Sequence, residues 1–283
     1  MNSKPKHPDP PRRPPAPARE PTREQPSRNE PAGDRLEGRN VVLEALTRKR
    51  RKVLRIWLDA AAKPDSKVTR ILELGGTRIQ RVDRQILDRM SVTGVHNGVI
   101  AEAEPFLELT MGDVLRTAFE DAAGNARSPC FVLIDEVQYE HNLGAVLRSA
   151  LGADVDAVII PVQRGKGITP VVHRVSMGGA EAVPVVREGI SSALAQLQRA
   201  GVYIVGADMD GKPPWELPLS GAVAFVLGGE DKGLTDPVRK RCDAIAGVPL
   251  AGGLESLNVS VTAGVLLFER VRQRAGFPVQ SRA

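Results

Sequence analysis

The sequence predicts an α/β protein with a small N-terminal α/β module and a larger C-terminal module built on a mostly parallel sheet. Two observations lead to this fold class. A proline-rich start gives way to a short stretch of strand and helix patterns, and from Cys130 onward apolar strands alternate with amphipathic helices. Strands that alternate with helices are typical of parallel sheets covered on both faces. The 283 residues, 42% of them hydrophobic, are enough for two domains with cores.

The first 35 residues form a segment of their own. They contain 10 of the 22 prolines and almost no large apolar side chains. Such a segment cannot bury enough surface to offset its ordering entropy, so residues 1–35 are predicted to be a disordered Pro/Arg-rich tail. It is either an RNA-tethering arm or a passive solubilising tail. The tail lacks the apolar stretch of a secretory signal, and no run in the chain approaches the roughly 18 apolar residues of a membrane span.

Residues 36–104 are predicted to be a compact αβαβαβ module that binds an RNA substrate. A first helix is expected because Val41, Val42, Ala45 and Leu46 share one helical face. The further elements are a strand over 53–58, a helix over 66–74, a strand over 78–82, a helix over 83–90 and a strand over 98–102. The module carries a net charge of +5, whereas residues 105–283 carry −3. This asymmetry favours a polyanionic partner, with nucleic acid as the leading interpretation.

The densest basic cluster of the chain follows the first predicted helix. A solvated helix end is the alternative interpretation, because cations suit a helix C-terminus. Aromatic residues make up only 4% of the chain, which argues against a single-stranded RNA reader built on stacked bases. The predicted RNA-contact residues are Arg39, Arg48, Lys49, Arg50, Arg51 and Lys52.

A linker is predicted over residues 105–127, with one helical stretch at 112–122, before a second domain over residues 128–283. The predicted strands of that domain span 131–134, 156–160, 182–186, 202–206, 222–227 and 244–249. Its helices include 142–152, 168–176 and 257–274.

Three segments of the second domain combine glycines with polar side chains. The first, HNLGAVLRSA over 141–150, follows a strand, and Asn142 is predicted to cap the helix that carries Arg148. Alone, a capped helix with a surface arginine would explain it. The second, GGEDKGL over 228–234, ends a buried strand and matches neither a phosphate loop nor a dinucleotide fingerprint. A tight strand-to-helix turn is the alternative there.

The third segment, VPLAGGLESLNVS over 248–260, runs from a strand through a glycine-rich loop into a helix. Its polar residues at the helix start could be simple capping. Two glycine-rich loops that close strands of one sheet would, however, meet at the carboxyl edge of that sheet. This is where α/β sheets bind ligands.

In order and spacing, the three segments resemble the SpoU (TrmH-like) family of RNA ribose 2′-O-methyltransferases over about residues 130–275. The motifs LEGRNVV at 36–42 and HNGV at 96–99 resemble the RNA-binding domain of its RlmB-like branch. The resemblance implies the trefoil-knot SPOUT class, with a deep trefoil knot in the C-terminal domain. It also implies S-adenosylmethionine as cofactor and a homodimer with active sites near the interface.

The resemblance also assigns site residues by position. The cofactor-binding residues it implies are Gly228, Gly229, Val248, Ala251 and Leu257. The polar active-site residues it implies are Arg148, Asn142, Glu230, Ser256 and Asn258. A guanidinium is hard to deprotonate, so Arg148 is expected to act as an electrostatic clamp on the reacting hydroxyl and the adjacent phosphate, with general base as the second choice.

The chain departs from the family pattern at three places. Tyr139 and Glu140 stand where the family usually has Asp-Pro, HNG at 96–98 replaces His-Gln-Gly, and SMGG at 176–179 replaces Ser-Ala-Gly-Ala. None of these changes removes a core polar residue, so an active enzyme is expected.

The prediction is therefore an S-adenosylmethionine-dependent RNA ribose 2′-O-methyltransferase acting on a guanosine of 23S rRNA. The alternatives are methylation of tRNA or of another rRNA site, and a non-catalytic RNA-binding ribosome-assembly factor. No metal is expected, because the four histidines lack ligand spacing and fit ordinary surface or loop positions. The two cysteines cannot form a disulfide framework, which suggests a reducing cytoplasm. Neither a membrane nor DNA is expected as a partner.

Overall fold

The computed structural model describes residues 33–125, 127–135, 139–162, 167–229, 233–254 and 256–276. Residues 1–32, which hold nearly all of the predicted disordered tail, lie outside the described residues. The described residues pack into one compact unit that contains two separate sheets.

The first sheet has four strands in the order β1-β4-β2-β3. β4 pairs antiparallel with both of its neighbours, and β2 pairs parallel with β3. The helices α1 and α2 cover one face of this sheet, and α3 covers the other. The elements are β1 (Asp34–Glu37), α1 (Arg39–Arg48), β2 (Val53–Asp59), α2 (Ser66–Gly75), β3 (Ile79–Val82), α3 (Arg84–Met90) and β4 (Val99–Ala103).

Strand β1 is the element of this module that the sequence analysis missed. It begins at Asp34, inside the segment predicted as a tail, so Asp34 and Arg35 are ordered rather than disordered. The strand is only four residues long, and its pairing partner β4 lies more than 60 residues away in the chain. The sequence around such a short edge strand contains no local pattern that predicts it. The six other predicted elements of the module are present, and all four apolar residues predicted on one face of α1 are buried.

The second sheet has six strands in the order β10-β8-β9-β5-β6-β7, and every pairing between these described strands is parallel. This confirms the predicted fold class. The elements are α4 (Met111–Asn125), β5 (Cys130–Ile134), α5 (Glu140–Gly152), β6 (Ala157–Ile160), α6 (Pro170–Val175), α7 (Gly179–Ala182), β7 (Val185–Arg187), α8 (Ile190–Arg199), β8 (Tyr203–Lys212), β9 (Val223–Leu227), α9 (Asp236–Arg239), β10 (Ala244–Ala246) and α10 (Val259–Arg274).

Alternate residues of the central strands feed two cores, one on each face of the sheet. In β5, Val132 faces α5, α6 and α10, whereas Phe131 faces α4 and α8. All five residues of both β5 and β9 are buried. This is the pattern of parallel strands covered on both faces. It leaves the carboxyl ends of the strands, and the loops that follow them, as the open edge of the domain.

Two predictions about the connecting segments are wrong in detail. The helix α4 falls in the predicted linker, yet Met111, Val114 and Ala118 are buried against the second sheet, so it is part of that domain's core. The strand predicted over 182–186 is instead the end of α7 followed by β7. A short apolar run does not distinguish a helix end from a strand.

Candidate active site

A cavity of about 480 Å³ lies where the carboxyl ends of β8, β9 and β10 meet. Its walls are the ends of these strands, the two glycine-rich loops and the start of α10. The lining residues are Ala207, Asp208, Met209, Leu227, Gly228, Gly229, Gly233, Ala246, Val248, Leu250, Ser256, Leu257, Asn258, Val259 and Thr262. Small-molecule sites have volumes of roughly 300–1,000 Å³ and mix apolar walls with a few polar groups. This cavity has the size and lining of such a site.

Four of the five predicted cofactor-binding residues meet in this cavity. Gly228, Gly229, Val248 and Leu257 all line it. Ala251 is exposed in the adjoining loop and is not among the lining residues. Their binding role stays a prediction, but the structure gives four of them a common surface.

Gly228 has a clear steric reason to be glycine. A Cβ at this position would lie 2.2 Å from the carbonyl carbon of Gly233 and 2.5 Å from the backbone nitrogen of Leu234. Gly229 and Gly233 exchange backbone hydrogen bonds of 3.1 and 3.0 Å, which closes the loop. The predicted catalytic residue Glu230 belongs to this loop but lies outside the described residues.

Two of the predicted catalytic residues are in direct contact. The side-chain amide of Asn258 donates a hydrogen bond of 3.1 Å to Oδ1 of Asn142. Oδ1 of Asn258 also accepts from the backbone nitrogen of Ser260 at 2.9 Å and caps α10. The contact joins the starts of α5 and α10 through two asparagines that are 116 residues apart in the chain. Ser256 lies beside it in the cavity wall.

The capping role predicted for Asn142 is wrong. The helix α5 begins at Glu140, its N-cap is Tyr139, and Tyr139 makes no side-chain capping bond. Asn142 therefore lies within the first helical turn, where its Oδ1 accepts a hydrogen bond from Asn258.

Arg148 lies on α5 six residues, or about 1.7 turns, beyond Asn142. Its side chain is exposed, and it is not among the residues that line the cavity. The structure thus brings Asn142, Ser256 and Asn258 together and leaves Arg148 outside this group, exposed on α5.

The six predicted RNA-contact residues do not form one surface. Arg48, Lys49 and Lys52 are exposed, whereas Arg39 and Arg50 are half-buried. The prediction of an RNA contact is wrong for Arg51, because its side chain is only 1% exposed and pairs with Glu181 and Asp34. A guanidinium enclosed by carboxylates cannot contact an RNA phosphate. The charge run in the sequence gave no sign of this burial.

Arg50 packs against Phe106, the same ring that Arg51 packs against. Its guanidinium carbon lies 5.2 Å from the centroid of the Phe106 ring, and burial lowers the pKa of Arg50. Its availability to RNA is smaller than that of the exposed Arg48.

Two histidines are buried rather than exposed. Nδ1 of His96 accepts from the backbone nitrogen of Gly98 at 3.1 Å, and its Nε2 lies 2.9 Å from Oδ1 of Asp88. His173 is 2% exposed and lies beside Glu181 and Arg51. His96 lies in the loop between α3 and β4, as expected, although it is buried there. The surface or loop placement expected for His173 is wrong, because this residue is buried on α6. His96 is buried with polar partners in Asp88 and Gly98, and His173 is buried close to the charged groups of Glu181 and Arg51. Residue spacing in the sequence could not reveal either neighbourhood.

The sequence analysis missed the wall that β8 contributes. Ala207, Asp208 and Met209 line the cavity from the middle of this strand, where Ala207 pairs with the last residue of β9. Oδ2 of Asp208 accepts from Nη1 of Arg239 at 2.6 Å, and the other guanidinium nitrogen of Arg239 bonds Asp210 at 2.8 Å. The hydrogen bond from Arg239 lowers the pKa of Asp210. The polar run at the end of a predicted strand was the available signal.

Within the part of the chain that the structure describes, no group of three or more His, Cys, Asp or Glu side chains is arranged to hold a metal ion. In the same residues, no helix combines the length and apolar character needed to cross a bilayer.

Comparison with known proteins identifies two family regions. Residues 129–268 match the model of the SpoU rRNA Methylase family, and residues 35–108 match the model described as RNA 2'-O ribose methyltransferase substrate binding.

Similar proteins match over most of the chain. The 23S rRNA (guanosine-2'-O-)-methyltransferase RlmB of Escherichia coli (strain K12) is 36% identical over 206 residues, which cover 72% of this chain and 83% of RlmB. The putative TrmH family tRNA/rRNA methyltransferase YacO of Bacillus subtilis is 33% identical over 254 residues, which cover 85% and 96%.

A solved structure shares the fold. The SpoU methyltransferase AviRb from Streptomyces viridochromogenes, in complex with its cofactor AdoMet, aligns with a TM-score of 0.67. The alignment is 21% identical and covers 86% of this chain and 91% of AviRb. At this identity the likeness supports the fold alone.

Proposed function

This chain belongs to the SpoU rRNA methylase family, and we propose that it methylates the ribose 2′-hydroxyl of a guanosine in 23S rRNA. The observation that carries the proposal is the cavity, where the family's two glycine-rich loops and two contacting asparagines meet. S-adenosylmethionine is the cofactor of this reaction, and when bound it supplies a methyl group already activated on a sulfonium.

The residues of the cavity fit this cofactor. Its volume of about 480 Å³ suits a nucleoside-sized ligand. The backbone at Gly228 can approach a ligand closely because no Cβ intervenes, and Val248 and Leu257 offer apolar surface. We assign these three residues, together with Gly229, to cofactor binding. We assign Ala251 to cofactor binding only because it lies in the loop between Val248 and Leu257.

The catalytic task is to align a ribose hydroxyl with the methyl group and to accept its proton. Asn142 and Asn258, held together by their hydrogen bond, orient the ribose or the arginine beside it. Arg148 clamps the hydroxyl and the adjacent phosphate electrostatically, and that phosphate or water takes the proton. Ser256 supports the loop that faces the cofactor, and Glu230 belongs to the assigned set on the family resemblance alone.

The substrate-binding module supports RNA as the partner. Arg39, Lys63, Lys67 and Arg84 border an open polar cleft of about 670 Å³ on its surface. Together with the exposed Arg48, Lys49 and Lys52, these cations provide phosphate contacts and a steep salt dependence of binding. The E. coli relative named for 23S rRNA favours rRNA over tRNA.

A homodimer is part of the proposal. Val261, Val265 and Phe268 lie on one face of α10, spaced four and three residues apart, and are 36–50% exposed. An apolar stripe on a helix that borders the cavity is suited to a second copy of the chain. The partner would then lie near the active site, as the family resemblance implies.

A deep trefoil knot and a cytoplasmic location complete the proposal. The backbone of Gly247 passes so close to the backbone of Asp208 and Gly211 that a Cβ on Gly247 would lie 2.8–2.9 Å from their atoms. Such tight packing of the chain after β10 against the end of β8 is compatible with a threaded segment. Ribosomal RNA as substrate suggests the cytoplasm, where ribosomes are assembled.

The test is methyl transfer from labelled S-adenosylmethionine to unmodified rRNA and tRNA pools, followed by digestion and mass spectrometry of the nucleosides. The expected product is 2′-O-methylguanosine in 23S rRNA. Label in tRNA alone would overturn the substrate but keep the chemistry. No transfer to RNA and no cofactor binding would favour a non-catalytic assembly factor.

A further inference from the structure

Arg51 is enclosed between the substrate-binding module and the catalytic domain. Its Nε and Nη2 donate to the two carboxylate oxygens of Glu181 at 3.1 and 2.5 Å. Its Nη1 bonds Asp34 and donates to the backbone oxygen of Glu104 at 3.1 Å. The guanidinium carbon lies 4.0 Å from the centroid of the Phe106 ring. One side chain thus joins the module, the segment that leaves it and the catalytic domain.

Glu181 on α7 receives Arg51 from the catalytic side. Its side chain is 1% exposed, and Nδ1 of His173 lies 3.2 Å from its Oε1. Burial by itself would raise the pKa of Glu181, but hydrogen bonds from His173 and Arg51 outweigh it and lower the pKa. Glu181 is therefore a carboxylate matched to the fork of Arg51. A bidentate pair of this kind fixes orientation as well as distance.

The contact around this ion pair is closely packed. A Cβ on Gly178, before α7, would lie 2.4 Å from Cγ of Glu44 on α1. Nδ2 of Asn40 lies 3.4 Å from the sulfur of Met177. The first turn and the middle of α1 therefore rest directly on the turn between α6 and α7.

The opposite side of the same segment rests on α5. A Cβ on Gly179 would lie 2.4 Å from the backbone oxygen of Leu147 and 3.0 Å from the backbone nitrogen of Arg148. A Cβ on Gly144 would lie 2.7 Å from Cβ of Val175. The segment 170–182 is thus packed between the substrate-binding module and the helix that carries Asn142 and Arg148.

We propose that the Arg51–Glu181 pair is a positioning device that fixes the substrate-binding module on segment 170–182 and, through it, sets the place of α5 relative to bound RNA. This inference rests on the proposed function, because that function assigns Asn142 and Arg148 of α5 to the methyl transfer. Arg51 acts through Glu181 and does not contact the substrate. The pair aligns the reacting ribose more than it contributes to RNA affinity.

The test uses the full chain with Arg51→Met, Glu181→Gln, the double variant and the conservative Arg51→Lys. The matched controls are Arg116→Met and Glu120→Gln, an exposed pair on α4 whose side chains are 62% and 66% exposed. For each protein we would measure kcat and KM with a 23S rRNA transcript. Small-angle scattering would report the radius of gyration, and cofactor affinity on the same samples would report an intact catalytic domain.

Arg51→Met and Glu181→Gln should each lower kcat by about tenfold or more, since a displacement of about 1 Å at the reacting atoms can cost about a hundredfold. KM should change less than kcat, and the radius of gyration should rise. The double variant should be no worse than either single variant, because one interaction is lost in all three. Arg51→Lys should restore part of kcat, and both control variants should behave like the wild type.

Glu181→Gln separates the inference from its main competitor, since removing an acid cannot remove a phosphate contact. A raised KM in Arg51→Met with wild-type behaviour of Glu181→Gln would make Arg51 an RNA ligand and overturn the positioning role. Wild-type kinetics in both variants would overturn it as well while leaving the proposed function intact. Failure of the wild type to methylate any RNA would refute the proposed function, and the positioning role with it.

Discussion

Arg148 and Arg51 are both arginines in motifs that point to RNA chemistry, yet the structure gives them opposite surroundings. Arg148 is exposed on α5, six residues beyond Asn142, and it does not line the cavity. Arg51 is enclosed by Glu181 and other groups of the contact between the modules. An exposed cation can meet a substrate, whereas a buried one must be paired with other groups of the protein. Burial therefore separates the proposed catalytic arginine from the positioning one.

Replacement of Arg148 by alanine should abolish most of the methyl transfer. A fixed positive charge at the reacting oxygen is worth about 10²–10³ in rate. Cofactor affinity should stay unchanged, because Arg148 does not line the cavity. Single-turnover transfer and calorimetric titration of the cofactor would measure the two quantities. Normal turnover by Arg148→Ala would remove this residue from the mechanism.

Glu181 should make folding stability depend on pH in the acidic range. Its pKa in the folded protein lies below the ordinary value of 4.5, so its stabilising effect is complete above that value and is lost as the pH falls through the folded pKa. At pH 7, Glu181→Gln should cost roughly 3 kcal/mol, because it breaks a buried ion pair. Denaturant unfolding at several pH values should show this gap narrowing below about pH 4.5. A gap independent of pH would contradict the assignment.

The site depends on how secondary-structure elements begin and end. β8, β9 and β10 end at one edge of the sheet, and the loops that follow β9 and β10 close the cavity. The first turns of α5 and α10 meet at the same place through the contact between Asn142 and Asn258. Parallel strands must all end on one side, so this convergence follows from the topology.

Asn258 serves α10 and the site with different atoms, and two substitutions should separate these roles. Asn258→Ala removes the cap and should cost about 1 kcal/mol of stability, while it also breaks the contact with Asn142. Asn258→Asp keeps a capping oxygen but loses the amide that donates to Asn142. It should therefore retain wild-type stability and still lose activity. Full activity in Asn258→Asp would show that the contact between the asparagines is dispensable.

Gly228→Ala tests the loop that closes β9. The new methyl group would collide with the backbone at Gly233 and Leu234, which cannot rotate away, so the loop must shift. Cofactor affinity should fall by at least about tenfold, which corresponds to about 1.4 kcal/mol of binding free energy. Gly189→Ala is the matched control, because nothing lies within 4 Å of its Cβ position and its φ is −65°. Equal cofactor affinity in the two variants would contradict the assigned cofactor site.

At the scale of the whole molecule, two contacts matter: the one between the two modules and the proposed one between two copies of the chain. α1 packs on the turn between α6 and α7, which in turn packs on α5, so the modules share a continuous contact that ends at the proposed catalytic helix. α10 presents an exposed apolar stripe, and this is the surface proposed for the second protomer.

Val265→Glu should weaken the proposed dimer. A charge in the centre of the α10 stripe would have to be buried without a partner at the interface. Sedimentation should show a shift toward monomer at micromolar concentration, while Leu107→Glu, at an exposed position on the segment between the modules, should leave the association unchanged. If Val265→Glu loses both methyl transfer and the ability to dimerise, the active site needs the partner subunit. An unchanged sedimentation coefficient for Val265→Glu would show that the α10 stripe is not the dimer interface.

Local patterns predicted most of the secondary structure and the family. The alternation of strands and helices gave the parallel sheet, and the resemblance carried by the three motifs is confirmed by family models over residues 35–108 and 129–268. The same motifs named Gly228, Val248 and Leu257, which line one cavity. What local patterns missed were contacts between distant segments, such as β1 on β4 and the wall that Asp208 contributes.

The amino-acid sequence alone thus determines which elements form and which chemistry the chain is equipped for, because periodicity and motif spacing are local properties. Only the tertiary structure decides which polar groups remain available. It buries Arg51 against Glu181, joins Asn142 to Asn258 and leaves Arg148 exposed. The physical reason is that a charge changes its role when distant segments remove it from water, and the sequence around Arg51 looks the same whether its partner is a phosphate or a carboxylate 130 residues away.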